Sequence, residues 1–358
     1  MPDNTSAPEL LAPAAAPWEC VPTVAAAMCE VEACLRRLAT ENAGAATRQV
    51  CLRLIEAGGK RLRPILVLLS AQAAGGAARA EMAEVAAAAV ELLHAASLLH
   101  DDVIDESALR RGQPTGNALW GNQVAALAGT FLTACALRAL AGLGPEPARL
   151  ADVALQQLWE GQMAELEGVF YLDRDEQTYI ASIARKTAAL WRLSCELGAH
   201  AAQADERQCA ALATYAQESG IAFQIVDDVL DIVADEAAIG KPRGADIRAG
   251  VVTLPLIHAL AHHPQRTHLR ALLAREPLSD AACEEALAIV RAGDAVPRAL
   301  AQARARIARA VAALDALPPG AAVDALAATA HAILARPDLH TWSRYDEHDE
   351  YDEFKSAV

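Results

Sequence analysis

Aromatic residues are scarce here: 4% of 358 residues, although hydrophobic residues make up 54% and alanine is abundant. Runs of β-branched residues are scarce as well, and alanine has the highest helix propensity, so the composition predicts an all-α protein. Positive charge is in deficit. The 31 Lys and Arg stand against 46 Asp and Glu, a net charge of −15. That balance argues against nucleic acid as a partner. It leaves room for an anionic substrate met by local cations or by metals. The eight cysteines (20, 29, 34, 51, 135, 195, 209 and 283) show no CxxC spacing. Most sit in apolar helical runs, where free cysteine acts as a small hydrophobe, so no disulfide framework is expected and a reducing, cytoplasmic setting is. The N-terminus lacks the basic stretch of a signal peptide. No uncharged apolar run reaches the ~20 residues that span a bilayer; the longest candidate, about Val85 to Leu99, is interrupted by Glu91 and His94.

The chain divides simply. Residues 1–16, with Pro2, Pro8 and Pro13 among small residues, read as a disordered extension. Residues 17–338 read as one helical domain, and 339–358 as a solvated acidic tail. Helices are predicted at about 22–40, 44–57, 79–105, 120–141, 147–170, 175–203, 205–235 and 252–262, then on to about 335 with breaks near Pro297 and Pro318-Pro319. Gly58-Gly59 ends the second helix and Pro64 suits the first turn of the third. Arg110 to Pro114 and Gly240 to Gly250 read as loops.

What is present in force is paired acid. Asp101-Asp102-Val103-Ile104-Asp105 and Asp227-Asp228-Val229-Leu230-Asp231 share one DDxxD pattern, each closing an apolar helical run. A helix stacks positions i and i+4 on one face, roughly 5.4 Å apart, so Asp101 pairs with Asp105 and Asp227 with Asp231. Like charges in apolar surroundings repel unless cations intervene. Hard oxygen ligands suit Mg²⁺, which keeps waters and bridges to phosphate. One such cluster is commonly a solvated helix end; two, flanked by Leu98-Leu99-His100 and Gln224-Ile225-Val226, read as two walls of a metal-diphosphate clamp.

Basic groups answer them. Lys60 and Arg63 open a helix just after a glycine pair, where backbone amides and a guanidinium favour phosphate. Arg110 and Arg111 follow the first cluster, either balancing its charge or holding diphosphate. Lys186-Thr187 lies inside an apolar helix, where a lysine needs an anion or must snorkel to the surface. Lys241 stands in the loop after the second cluster. His94 lies two turns before Asp102, a structural histidine or a ligand contact.

With these motifs assembled, the chain resembles the trans-isoprenyl (polyprenyl) diphosphate synthases. The resemblance rests on GGKRLRP (58–64), ELLHAASLLHDDVIDESALRRGQPT (91–115), KTAAL (186–190), GIAFQIVDDVLDIV (220–233), GKPRGADI (240–247) and TLPLI (253–257). It implies the isoprenoid synthase fold: one bundle of mostly antiparallel helices around a deep central apolar cavity, homodimeric, with three Mg²⁺ ions. It further implies that Asp101, Asp105 and Asp227 bind metal, with Asp102, Asp228 and Asp231 in support. Arg110, Lys186 and Lys241 would hold an allylic prenyl diphosphate. Lys60, Arg63, His94 and Arg111 would hold isopentenyl diphosphate, and Gln224 and Thr187 would line the reacting centre. Two positions depart from the family pattern: Val251 stands where it usually has lysine, and Thr130 where it usually has aspartate.

Product length is read from the helix below Asp101, where Ala95, Ala96 and Ser97 are small. The family stops growth early with an aromatic residue near this level, so small residues predict a medium-to-long product, C30 or above and octaprenyl-like. Packing of those residues against another helix is the competing explanation. Phe131 and Leu132 are candidate floor residues. Three other readings remain open: a shorter-chain geranylgeranyl or farnesyl diphosphate synthase, a terpene cyclase, and the regulatory subunit of a heteromeric synthase. Asp at 227 to 231 and intact Lys60 and Arg63 favour elongation over cyclisation, and all six aspartates favour an enzyme over a regulator.

Overall fold

The computed structural model describes residues 17–75, 79–110, 112–234, 243–274 and 278–336. Arg111, Lys241, the N-terminal extension and the acidic tail lie outside the described residues. The fold is all-α. Helices α1 (Pro22–Thr40), α2 (Ala45–Glu56), α3 (Leu62–Ala73), α4 (Ala80–Ile104), α5 (Gly116–Trp120) and α6 (Asn122–Gly142) are followed by α7 (Pro145–Glu167), α8 (Glu176–Ile183), α9 (Ala189–Ala201) and α10 (Glu206–Val233). Further helices, among them Ala245–Arg248, Leu254–His262, Ala295–Ala313 and Ala321–Leu334, complete the bundle. The described residues hold one hairpin, Leu109–Arg110 paired antiparallel with Gln113–Pro114.

Local chemistry sets the helix ends. Proline opens α1 and α7, where its missing N–H costs nothing. Asp205 and Gln208 form a reciprocal cap on α10. Pro297 falls in the first turn of Ala295–Ala313 rather than within it. The predicted helix at 175–203 is instead α8, a π-helical turn at Ala184–Ala188, and α9.

Helix α4 packs most extensively on α6 and also meets α9, which in turn meets α7 and α10. Ala86, Ala87, Ala88 and Ala89 are each at most 1% exposed; side chains this small let helices approach closely. The few aromatics are central, with Trp191, Tyr179 and Tyr215 the largest fully buried side chains. By length and composition α4 and α6 could each cross a bilayer. In this bundle the buried Glu91 in the middle of α4 is satisfied, because it accepts from Arg61 at 3.1 Å. Helices α4 and α10 both run toward their aspartate clusters, and α9 runs away from Lys186. Because Thr187 is tied through Gln224 to Asp228 while adjacent Lys186 acts on Asp101, the two clusters share one end of the bundle.

Candidate active site

The first aspartate ledge ends α4. Asp102 is 1% exposed and accepts from Arg110 Nε at 2.8 Å and Nη2 at 2.7 Å. The hairpin after α4, turned by Gly112 at φ 72°, brings Arg110 back onto the ledge. Asp101 and Asp105 stay free of such a clamp and line the open side with His94 and Leu98, one helical face at spacings of four, three and four. Burial pushes the Asp101 carboxyl up to about 6, Lys186 and Arg110 pulling it down and Asp105 reinforcing the rise. Burial raises Asp105 too.

Lys186 and Thr187 reach this ledge through a π-helical turn. Such turns widen a helix by one residue and recur at functional sites. Two glycines make room for it. A β-carbon on Gly161 of α7 would stand 2.8 Å from the Lys186 Cα, 2.9 Å from the Arg185 carbonyl carbon and closer still to the Lys186 nitrogen. One on Gly220 of α10 would stand 2.8 Å from the Ala188 Cα. Lys186 Nζ donates to Glu165 of α7. Burial works against its charge, but Glu165, Asp101 and Asp105 outweigh burial and raise its pKa.

The second ledge is wired to the same turn. Thr187 Oγ1 donates to Gln224 Oε1 at 2.7 Å, and Gln224 Nε2 donates to Asp228 Oδ1 at 2.7 Å. The Tyr179 hydroxyl donates to Asp228 Oδ2 at 2.6 Å. Burial pushes Asp228 above the usual carboxylate range, and these hydrogen bonds work the other way. Asp231 accepts from the Asp246 amide at 3.1 Å, tying the chain's return from the 235–242 segment to α10. Asp227 meets Arg336 at the end of the last described helix.

The isopentenyl candidates gather on α3 and α4. Arg61 holds a left-handed backbone, φ 48°, and is pinned by Glu32 at 2.6 Å, Glu91 at 3.1 Å and the Ile55 carbonyl at 2.8 Å. That clamp sets the entry of α3 and seats Arg63 against α4, where Glu91 lies one turn from His94. Arg63 Nε is buried without a partner, and burial pushes its pKa down to about 10. Lys60 is exposed.

The π-helical turn joins the two ledges, because Lys186 is held by Glu165 and neighbouring Thr187 connects through Gln224 to Asp228; the charge of Glu165 acts on Asp101, Asp105 and Asp228 alike. A cavity of about 300 Å³ lies here, lined by Asp105, Gln162, Glu165 and Val251 among others. Gln162 Oε1 is buried with no partner. A larger hollow, about 590 Å³, lies at the far end of the bundle. Four of the charges lining it are paired, Arg149 with Glu146 and Arg192 with Glu196.

Below the ledge, Ala96 is 1% exposed, and Ala95 and Ser97 are 8% exposed. The Ser97 hydroxyl bonds back to the His94 carbonyl at 2.9 Å. Phe131 packs partly buried against the core and Leu132 is fully buried. Thr130 is exposed and bonds its own helix at Ala126. Neighbouring Gly129 is essential to the packing, since a β-carbon there would stand 2.7 Å from His100 Nε2. Glu165, Gln162, Tyr179, Arg61 and Gly161 were not singled out in the sequence. Only the glycine inside a helical run left a trace there.

An all-helical bundle that sets two aspartate ledges and partnerless basic donors about one cleft defines a diphosphate-handling enzyme of the isoprenoid synthase fold. The sequence pattern described as polyprenyl synthetase matches residues 45–290. The nonaprenyl diphosphate synthase of Mycobacterium tuberculosis is 41% identical over 77% of this chain and 83% of its own. A decaprenyl diphosphate synthase structure from Rhodobacter capsulatus superposes with a TM-score of 0.83, 33% identity, and coverage of 89% of this chain and 98% of that one. A polyprenyl synthase from Caulobacter crescentus, solved with calcium and isoprenyl diphosphate, gives a TM-score of 0.82 and 30% identity over 90% and 98%. The chain belongs to the polyprenyl synthetase family and is a trans-prenyltransferase. These findings favour neither the cyclase nor the non-enzymatic reading.

Proposed function

We propose that this protein condenses an allylic prenyl diphosphate with isopentenyl diphosphate, using Mg²⁺, to build a trans-polyprenyl diphosphate of C30 or above and octaprenyl-like length. The observation that carries the reading is the joining of both ledges through one π-helical turn, Lys186 held by Glu165 beside the first and Thr187 linked through Gln224 to Asp228 of the second. The donor set fits a hydrated divalent cation. Asp101 and Asp105 offer hard oxygens one turn apart in a place that penalises their bare charge. The orphaned Gln162 Oε1 would accept from a metal-bound water. Asp101, Asp105 and Asp227 are the ligands in this reading. Bound cations would neutralise charge on the departing diphosphate.

The protein's own groups do the rest. Lys186 and Arg110 stand beside the first ledge and hold the allylic diphosphate. Lys60, Arg63 and His94 hold the second diphosphate and so fix the isopentenyl double bond near the allylic carbon. The C–O bond breaks with its electron pair going to diphosphate. The double bond attacks the resulting cation, and a proton leaves to the diphosphate oxygen. Apolar walls around Leu98 keep water from trapping the cation.

The lengths named for the mycobacterial and Rhodobacter relatives, nonaprenyl and decaprenyl, support a long product. Incubation with farnesyl and isopentenyl diphosphates, followed by sizing of the dephosphorylated products, tests it; a sole C15 or C20 product overturns the assigned length. Ala96→Phe should shorten a long product. A second copy of the chain is the partner in this reading. It would cover α6 and α7, where Leu127 is 70%, Met163 55% and Val124 41% exposed. With all eight cysteines unpaired, the reading places the enzyme in a reducing cytoplasm.

A further inference from the structure

Arg174, in the turn between α7 and α8, is 6% exposed. Its Nη1 donates to the Val252 carbonyl at 3.2 Å, while Nε and Nη2 are buried with no partner. The guanidinium lies 5.5 Å from the ring centre of Tyr179, the residue that holds Asp228. Its Cζ would be 3.9 Å from a β-carbon on Gly168, less than one turn beyond Glu165. Among the described residues no carboxylate reaches it within ion-pair distance, though Glu165 is the carboxylate whose charge acts on it most strongly. Two unmet donors on a buried guanidinium are costly and call for an acceptor.

Glu165 is the acceptor at hand, and at present it holds Lys186. Lys186 cannot serve Glu165 and an arriving diphosphate equally well. Drawing it away would leave a half-buried carboxylate uncompensated, which opposes binding. Among the described residues that line the cavity, Val251 included, none is a cation. We propose that Arg174 is a positioning residue: as diphosphate draws Lys186 off Glu165, the two free donors of Arg174 take that carboxylate over. The exchange keeps Glu165 paired in both states, and a guanidinium fork suits a carboxylate. The proposal rests on the cleft being a diphosphate site.

The test is calorimetric binding of inorganic pyrophosphate in the presence of Mg²⁺, with thermal melting of each variant. R174M should weaken binding roughly tenfold, the scale of coupling between contacting charges. E165Q, which releases Lys186, should bind more tightly than the unmodified chain. In the E165Q background R174M should change affinity less than about twofold. The same tenfold loss in that background would show that Arg174 merely holds the Val252 segment, and unchanged affinity in R174M alone would equally overturn the proposal. Should R174M fail to fold, R174K, which keeps the charge but loses the fork, should show a smaller loss that E165Q again cancels. Absence of pyrophosphate binding in every form, the unmodified chain included, would remove the functional reading and this proposal with it.

Discussion

Adding a single methyl group at Gly161 probes how the site is built. The three nearest atoms to a β-carbon there are all backbone, the Lys186 nitrogen and Cα and the Arg185 carbonyl carbon, two of them at 2.8 and 2.9 Å. Ordinary carbon contacts sit near 3.5–4.0 Å, so α7 and the π-helical turn must separate by about 1 Å. Overpacking of this kind costs about 1–3 kcal/mol, and alanine's better helix propensity returns at most about 1 kcal/mol. Gly161→Ala should therefore lower stability by about 1–2 kcal/mol net, a shift of a few degrees in melting temperature for a chain this large. The functional loss should be the larger effect. The same separation moves Lys186 and Thr187 together, and a displacement of about 1 Å can cost on the order of a hundredfold in rate. Gly142→Ala is the control, since nothing lies within 4 Å of a β-carbon there; it should be neutral or slightly stabilising. Isopentenyl incorporation and thermal melting read both effects. A Gly161→Ala protein with unmodified rate and melting temperature would refute the claim that this close approach positions the lysine.

Other consequences follow from the first ledge. Arg110→Leu strands Asp102, which is 1% exposed. The loss in urea unfolding should be about 2 kcal/mol, below the range for fully buried pairs because the arginine itself is a third exposed. Asp101 titrates near 6 in the folded chain against 3.8 for the free group. The folded state thus binds the extra proton, so this group's contribution to cation-free stability is most favourable below pH ~4, falls as pH rises through ~6 and is level above. Asp101→Asn should remove that part of the slope, and Mg²⁺ affinity should climb over the same window; pH titrations by melting and by calorimetry check both.

The parts of this enzyme that were legible in sequence are those with a short-range signature. Helix ends declared themselves through Gly58-Gly59 and Pro64, and the two DDxxD runs marked the ledges because i and i+4 share a face. Long-range pairings left no such mark. That Glu165 would meet Lys186, Tyr179 reach Asp228, or Arg336 reach Asp227 depends on how α7, α8, α10 and the last described helix are packed. The sequence through the π-helical turn looks like plain helix because the residue that accommodates the turn, Gly161, lies on another helix. That Arg110 pairs with Asp102 likewise depends on the hairpin that folds it back onto the ledge.

The most direct test of the central claim is diphosphate release by the purified chain given Mg²⁺, an allylic diphosphate and isopentenyl diphosphate. The account predicts one diphosphate freed per isopentenyl unit added. It also predicts near-complete loss with Asp101→Ala and, separately, with Asp227→Ala. Unmodified turnover in either variant, or no elongation when both substrates are present, would contradict it.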